Sequence, residues 1–278
     1  MPIAQAGDIE LSYERGGSGP PLLLMMGMSG TYLHWDETFL EDLRQDFDVI
    51  VYDHRGVGSS TRITGSFEIA DLARDAAGLL EALGIERTHV LGFSMGGMVA
   101  QELALQRPEL VGALVLASTY SGGVGSHPAR QRTMERLAAA MATGDREQTM
   151  RVAWEVNVSP RFVKDATAYR HFTGIGERRR VAVPVVMEQV RAISSHDTSA
   201  RLGRIEAPTL VVHGTADEMV PVENAEMIAG LIPGAHLVLL EGDGHLFFWE
   251  EPERAAALVR EHLMVEHGEL VAEQAEPA

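Results

Sequence analysis

The most informative part of the sequence is Gly92-Phe93-Ser94-Met95-Gly96-Gly97. It has the spacing G-x-S-x-G, follows a short apolar run that predicts a buried strand, and opens a helical pattern that Pro108 stops. On such a sharp turn the serine has a strained backbone and an outward hydroxyl, so Gly92 and Gly96 must lack bulk. The start of the helix adds free N–H groups that favour a developing negative charge. This context predicts Ser94 as a nucleophile and disfavours the alternative of an ordinary glycine-rich turn.

Apolar runs of the same character recur on both sides of this stretch. Short continuous runs are typical of strands buried on both faces of a parallel sheet. The runs are residues 22–26, 49–52, 90–93, 113–117, 210–213 and 237–240. Residues 69–83 place their apolar side chains on one helical stripe that ends at Gly84, and residues 1–18 alternate as two short strands. Alternating strands and helices predict an α/β fold with a mostly parallel twisted sheet and helices on both faces.

This alternation stops for one long segment. Residues 121–202 open with the flexible run Ser121-Gly122-Gly123 and continue with helical spacing of apolar residues, without a convincing strand. We interpret the segment as a helical lid inserted into a core formed by residues 1–120 and 203–264. Residues 265–278 are acidic and are predicted to form a mobile tail.

Composition excludes several classes of protein. The 278 residues carry 23 basic and 40 acidic side chains, and this net charge of −17 argues against nucleic acid or an anionic membrane as a partner. The chain has no cysteine, which excludes disulfides, thiolate catalysis and cysteine-ligated metals. The N-terminus has no signal-peptide pattern, and no apolar run approaches the roughly 20 residues of a membrane span. We therefore expect a cytoplasmic protein.

The base that would activate the serine is predicted near the end of the sheet. A serine hydroxyl needs a base, commonly a histidine that a carboxylate orients. His245 follows the last predicted strand among small residues, and we favour it over His54 and His213, which lie at or within strands. Asp217 follows the strand at residues 210–213, at the carboxyl end where sites of open α/β sheets lie.

Two other carboxylates compete with Asp217 for the role of orienting His245. Glu218 is its direct neighbour and remains an alternative. Asp243 lies only two positions before His245, and a residue so close rarely turns back onto the ring nitrogen that it would orient. The other interpretation of Asp217 is a helix N-cap, which is compatible with a catalytic role.

Together these pieces resemble the α/β-hydrolase fold family, from about Ile9 to Leu263 apart from the lid. The resemblance rests on Met26-Gly27-Met28-Ser29-Gly30, Asp53-His54-Arg55-Gly56-Val57-Gly58-Ser59, the stretch around Ser94, Gly214-Thr215-Ala216-Asp217, and Gly244-His245. Within the family, the sequence around Ser94 is similar to that of esterases, enol-lactonases and perhydrolases.

The resemblance implies an oxyanion hole made by the backbone N–H groups of Met28 and Met95. Members of the family often have His-Gly where this chain has Met26-Gly27, but a backbone donor does not depend on the side chain. The changed residue instead alters the wall of the pocket. The resemblance also implies a structural role for the tight loop at residues 53–59.

Several side chains are candidates for the substrate pocket. We predict Trp35 and Trp154 as substrate-binding residues, although Trp35 could equally be a buried aromatic at the start of a helix. Most large apolar side chains of the lid are expected to pack in its own core, with a few facing the substrate. These side chains are Met134, Met141, Trp154, Phe162, Phe172 and Met187. Arg178-Arg179-Arg180 could bind a substrate carboxylate, but a solvated surface is favoured.

The sequence thus predicts a serine hydrolase that cleaves a carboxylic ester or lactone through an acyl-enzyme intermediate, without a metal or an organic cofactor. Ser94 attacks the carbonyl, His245 moves the proton, and Asp217 holds the histidine tautomer. Two alternatives remain open: a carbon–carbon bond hydrolase or perhydrolase that uses the same three residues, and a small-molecule receptor with little turnover. The sequence predicts neither the natural substrate nor the oligomeric state.

Overall fold

The protein is built around one eight-stranded sheet. The computed structural model describes the backbone of residues 1–275 and the side chains as far as residue 265. The strand order is β1-β2-β4-β3-β5-β6-β7-β8; β1 and β2 run antiparallel to their neighbours, and β3 to β8 are parallel. The strands are β1 Ile3–Ala6, β2 Ile9–Gly17, β3 Pro21–Met25, β4 Asp48–Tyr52, β5 Thr88–Phe93, β6 Val111–Ala117, β7 Thr209–Gly214 and β8 His236–Leu240.

Helices cover both faces of this sheet. The helices are α1 Glu37–Leu43, α2 Ile69–Ala82, α3 Met95–Gln106, α4 Gln131–Ala142, α5 Arg146–Asn157, α6 Ala166–Arg178, α7 Val183–Ser195, α8 Glu223–Leu231, α9 Phe247–Glu250 and α10 Pro252–Ala275. One buried core joins α2, α3 and α8 to the sheet, and a second core on the opposite face joins α1, α9 and α10 to it. Within the described residues, no helix is both long enough and apolar enough to cross a bilayer.

This architecture confirms the predicted α/β fold with a mostly parallel sheet. Each predicted apolar run lies within a strand or within one residue of its end. Strands β5, β6 and β7 are buried along their whole length, which explains why their sequences are apolar without alternation. The helix predicted at residues 69–83 is α2, which buries Leu72, Leu79 and Leu80 against the sheet.

The C-terminal segment is helical over most of its length. The backbone of α10 continues to Ala275, and the mobility predicted for residues 265–278 stays a prediction. Residues 276–278 lie outside the described residues. The acidic composition that suggested a tail is also compatible with a helix, because glutamate and alanine are both good helix formers.

Four helices, α4 to α7, lie between β6 and β7, in the segment 121–202 that was predicted as a lid. We call residues 121–202 the inserted segment; its role as a lid stays a prediction. Its two ends meet, because the Thr198 N–H donates to the Ser121 carbonyl at 2.9 Å and Gly122 bridges to Asp197. The segment therefore leaves and rejoins the sheet at one place, above the carboxyl end of β6.

Alanine at Gly96 is expected to lower the free energy of unfolding by about 3 kcal/mol or more. A Cβ atom there would lie 1.9 Å from the carbonyl oxygen of Met25 and 2.9 Å from that of Met26, and backbone atoms cannot move aside as a flexible side chain can. Urea or thermal unfolding measures the change. Gly230→Ala in α8 is the matched control, because a Cβ there meets nothing within 4 Å. Equal stability of the two variants would contradict this packing.

Candidate active site

Ser94 occupies a strained turn between β5 and α3. Its backbone angles, φ of 54° and ψ of −119°, lie in a region that residues with a side chain rarely adopt. Two hydrogen bonds hold it there: the Ser94 N–H donates to the Ala117 carbonyl at 2.9 Å, and the Thr119 hydroxyl donates to the Ser94 carbonyl at 2.7 Å. The serine is half-buried while Phe93 and Met95 on either side are buried. Strain that neighbouring elements impose on a half-exposed serine is the pattern expected of a functional residue.

Asp217 and His245 form a buried pair in the loops that follow β7 and β8. The Nδ1 of His245 lies 2.6 Å from Oδ2 of Asp217, and both side chains are buried. The other carboxylate oxygen accepts the N–H groups of Met219 and Val220, each at 2.8 Å. Four contacts thus fix the aspartate, because Nε2 of His213 also lies 3.1 Å from Oδ2.

The surroundings of Asp217 keep its carboxylate ionised. Burial alone would raise the pKa of Asp217, but the charges and hydrogen bonds of His245 and His213 lower this pKa well below its ordinary value of 3.8. An ionised aspartate accepts the Nδ1–H of the histidine, which leaves the opposite ring nitrogen as a proton acceptor. The pair therefore has the electrostatics of a general base with its orienting carboxylate.

The same edge of the sheet brings this pair towards Ser94. The strands β5, β7 and β8 are parallel, so the residues that follow their carboxyl ends gather on one side. The ring of Phe93, directly before Ser94, contacts the ring of His245 with centroids 4.8 Å apart. The turn that carries Ser94 and the pair of Asp217 and His245 thus lie at the same edge of the sheet.

The loop at residues 26–30 lies against Ser94, and we call it the oxyanion loop because it contains Met28, a predicted oxyanion donor. A Cβ atom on Gly27 would lie 3.0 Å from Cβ of Ser94, so the loop packs directly on the nucleophile candidate. His54 braces the loop, with Nε2 3.0 Å from the Met26 carbonyl. Burial lowers the pKa of His54 to about 4, so the ring is neutral and donates Nε2–H to that carbonyl. Met28 is part of this loop, and Met95 is the first residue of α3.

The competing candidates have other partners. Glu218 forms an ion pair with Arg136 at 3.2 Å near the surface. Asp243 is buried and forms an ion pair with Arg161. Of the two rival histidines, His54 contacts the oxyanion loop. His213 also contacts Asp217, at 3.1 Å, but it is fully buried within β7 and its Nε2 lies 2.9 Å from the Val220 carbonyl. The geometry therefore favours Asp217 and His245 over these alternatives.

Glu250 in α9 is a residue that sequence reasoning missed. Its side chain is fully buried and accepts two backbone N–H groups, that of Gly244 at 2.9 Å and that of Ser159 at 2.8 Å, as well as the Ser159 hydroxyl. Gly244 directly precedes His245, whereas Ser159 belongs to the inserted segment. The carboxylate of Glu250 therefore binds both the loop that carries His245 and the inserted segment.

Glu250→Ala is expected to lower kcat by about 10- to 100-fold, because freeing Gly244 lets the His245 ring drift from its productive position. Steady-state hydrolysis kinetics measure the effect, with circular dichroism to check the fold. The neighbouring Glu251→Ala is the control, since Glu251 makes only a surface ion pair with Arg161. A Glu250→Ala enzyme with native kcat would show that His245 does not depend on this carboxylate.

The two predicted tryptophans are both buried among aromatic side chains. Trp35 stacks on Phe39 with centroids 5.9 Å apart and contacts Phe93 edge-on at 6.3 Å. Trp154 packs on Trp249 and donates its indole N–H to the Val163 carbonyl at 3.1 Å. Trp35 is separated from His245 by one aromatic ring, that of Phe93. The contact of both tryptophans with substrate stays a prediction.

The remaining side chains proposed for the pocket divide into two groups. The aromatic ones, Phe162 and Phe172, pack around Trp154, as a core within the inserted segment requires. The three methionines are about half exposed, so the expectation that most of the apolar side chains are buried is wrong for Met134, Met141 and Met187. Helical spacing identifies a shared face but not what covers it.

The arginine run lies at the surface of the inserted segment. Arg179 donates to the Ser59 hydroxyl at 3.2 Å and lies over the Tyr32 ring, with its guanidinium carbon 6.0 Å from the centroid. Arg178 donates to the carbonyl of Gly174 in its own helix. The contacts of Arg179 join the inserted segment to the loop at residues 53–59. Two of the three guanidinium groups that were candidates for binding a substrate carboxylate therefore already have partners within the protein.

Comparisons with known proteins identify the family. The model of the alpha/beta hydrolase fold matches residues 20–172 and 176–252. The putative carbamate hydrolase RutD of Azorhizobium caulinodans is 30% identical over 262 residues, which span 91% of this chain and 94% of that protein. A hydrolase from Pseudomonas aeruginosa PA01 superposes with a TM-score of 0.81 at 32% identity, covering 94% of this chain and 97% of that one. A thermophilic esterase from Thermogutta terrifontis superposes with a TM-score of 0.77 at 27% identity, covering 96% and 98%. The chain therefore belongs to the alpha/beta hydrolase fold family and is a hydrolase.

Proposed function

We propose that this protein is a serine hydrolase that cleaves small carboxylic esters or lactones through an acyl-enzyme intermediate on Ser94. The observation that carries the proposal is the buried hydrogen bond of 2.6 Å between Asp217 and His245, at the edge of the sheet where Ser94 occupies its strained turn. A nucleophile, a base and an orienting carboxylate are together sufficient for acyl transfer.

In the proposed mechanism, Nε2 of His245 takes the hydroxyl proton while Oγ of Ser94 attacks the substrate carbonyl. The resulting oxyanion accepts the backbone N–H groups of Met28 and Met95, and one such donor typically contributes about 3 kcal/mol to transition-state stabilisation. Protonated His245 then gives its proton to the departing alcohol oxygen, and the acyl group stays on Ser94. Water, deprotonated by His245, attacks the acyl-enzyme, and the carboxylic acid leaves as the proton returns to Oγ.

Carbamates are a second candidate class of substrate. The relative from Azorhizobium caulinodans is named a putative carbamate hydrolase, and the match covers 91% of the chain described here. A carbamate carbonyl carries a nitrogen whose lone pair reduces its electrophilicity, so the same steps would run with a slower acylation. The oxyanion loop and the histidine pair would serve either carbonyl.

A panel of p-nitrophenyl esters of increasing acyl length, small lactones, aryl carbamates and a 1,3-diketone tests the proposal. We expect turnover of esters or lactones, with the preferred acyl length reporting the size of the pocket. Carbamate turnover above ester turnover would favour the second candidate. Activity confined to the 1,3-diketone would favour a carbon–carbon bond hydrolase over an esterase or lactonase. Tight binding without turnover of any compound would overturn the proposal.

A further inference from the structure

Gln189 in α7 connects the inserted segment to the oxyanion loop. Its side chain is fully buried, and its Oε1 accepts the backbone N–H of Ser29 at 2.9 Å. Because Ser29 supplies the proton, the orientation of the amide is fixed, with its oxygen towards the loop. The Nε2 of Gln189 is buried and has no hydrogen-bond partner in the part of the chain that the structure describes.

The helix that carries Gln189 is held firmly on the core. The Phe67 N–H donates to Glu188 at 3.0 Å, and Arg191 forms an ion pair with Glu68 at 2.9 Å and also donates to the Phe67 carbonyl. These contacts lie directly before and two positions after Gln189 in α7. The amide therefore has a defined position relative to the oxyanion loop.

The bond to Ser29 acts where the backbone of the oxyanion loop is strained. Ser29 has a φ of 58°, a conformation that is unfavourable for a residue with a side chain. The Gly30 N–H closes the turn on the Gly27 carbonyl at 3.2 Å, and Gly27 itself packs against Ser94. Gln189 therefore stabilises the turn that presents the N–H of Met28, which is one residue before Ser29.

The unpaired Nε2 indicates a missing acceptor. Buried polar groups in folded proteins nearly always have a partner, and an unpaired buried donor costs stability. Nε2 shares its carbon with the oxygen that binds Ser29, so it lies one amide group away from the oxyanion loop. An oxygen atom of a bound substrate would complete its hydrogen bonding.

We propose that Gln189 is a positioning and specificity-determining residue: its carbonyl fixes the oxyanion loop, and its NH₂ group binds a second oxygen of the substrate, besides the scissile carbonyl. The inference rests on the proposed function of the Ser94 site and names the class of substrate, an ester or lactone with an additional ether, carbonyl or hydroxyl oxygen. Because Nε2 is fully buried, the side chains that cover it must shift when such an oxygen binds, while Oε1 keeps its bond to Ser29.

A scan with oxygen-substituted substrates tests this inference. The native protein and Gln189→Met are assayed on p-nitrophenyl hexanoate and on analogues in which one methylene of the acyl chain is replaced by an ether oxygen at successive positions. A second series places the oxygen in the alcohol of an acetate ester. For each protein, kcat/KM on the oxygen-containing substrate is divided by kcat/KM on its methylene counterpart. This ratio for the native protein is then divided by the same ratio for the variant, and we call the result the ratio of ratios. It cancels the difference in chemical reactivity between the two substrates.

At one position we expect this ratio of ratios to be about five- to tenfold, the size of one hydrogen bond to a buried donor, and to arise mainly in KM. Gln189→Met should also lower kcat on the plain hexanoate, because the oxyanion loop loses its acceptor. Gln131→Met, the same change in α4, is the control, since Gln131 bonds only to Glu135 on its own helix. Gln189→Leu repeats the test if the methionine variant is unstable.

The failure of this inference differs from the failure of the proposed function. A ratio of ratios within twofold of one at every position, in both series, would overturn the role of Gln189, whereas hydrolysis that is insensitive to Ser94→Ala would overturn the proposed function. An unchanged kcat on hexanoate would overturn the positioning role.

Discussion

Replacing Ser94 by alanine is expected to lower kcat/KM for ester hydrolysis by at least about 10³-fold, because the acyl-enzyme can no longer form. The fold should survive, since the hydrogen bonds that hold the turn involve the backbone of Ser94 and not its hydroxyl. Alanine also tolerates the positive φ no worse than serine does. Initial rates on the best ester of the panel, with thermal unfolding as a check, measure both effects.

Ser118→Ala is the matched control for this experiment. Ser118 lies at the end of the neighbouring strand β6, is fully buried, and has a positive φ of 44°, so it shares the backbone strain of Ser94. We expect the Ser118 variant to keep its activity within a few-fold. Equal losses in the two variants would mean that the effect comes from the packing of the turn and not from a nucleophile.

Asp217→Asn is expected to lower kcat by about 10⁴-fold, through the tautomer of His245. The asparagine oxygen would keep the N–H groups of Met219 and Val220, so its NH₂ group would face Nδ1 of His245. That nitrogen would then have to accept a hydrogen bond, which places the ring proton on Nε2, where it cannot receive the proton of Ser94. Pre-steady-state assays of p-nitrophenol release measure the slowed acylation.

Glu218→Gln is the control for the aspartate variant. It makes the same chemical change at the next residue, but Glu218 pairs with Arg136 near the surface. The pKa of Asp217 lies below its ordinary value, so this carboxylate stays ionised at every pH at which the enzyme is assayed, and the deficit of Asp217→Asn should not vanish as the pH is lowered through the mildly acidic range. A deficit of less than tenfold, or one shared with Glu218→Gln, would contradict the orienting role.

The parts of the molecule that the sequence predicts are those that depend on local pattern. Buried strands such as β5 and β6 are continuously apolar because both faces of the sheet are covered. The turn at Ser94 needs glycine on both sides because the backbone of β3 approaches Gly96 and the first turns of α3 approach Gly92. Asp217 and His245 were predicted from their positions after strands, since parallel strands gather their carboxyl ends at one edge.

The parts that were missed depend on contacts between distant segments. Glu250 and Ser159 are 91 residues apart, and Gln189 and Ser29 are 160 residues apart, so no local pattern distinguishes these side chains from surface residues. The same limit explains the methionines of α4 and α7, whose spacing is helical but whose exposed sides are not covered. The C-terminal helix was missed because its hydrophobic residues do not form a clear stripe.

Covalent labelling is the most direct test of whether Ser94 is the nucleophile. The native protein is incubated with diethyl p-nitrophenyl phosphate, a reagent that phosphorylates activated serines, and intact mass and peptide mapping locate the adduct. We expect a single diethylphosphoryl group on Ser94, with no labelling of Ser94→Ala and strongly slowed labelling of His245→Ala. An adduct on another serine, or one that persists in Ser94→Ala, would contradict this assignment.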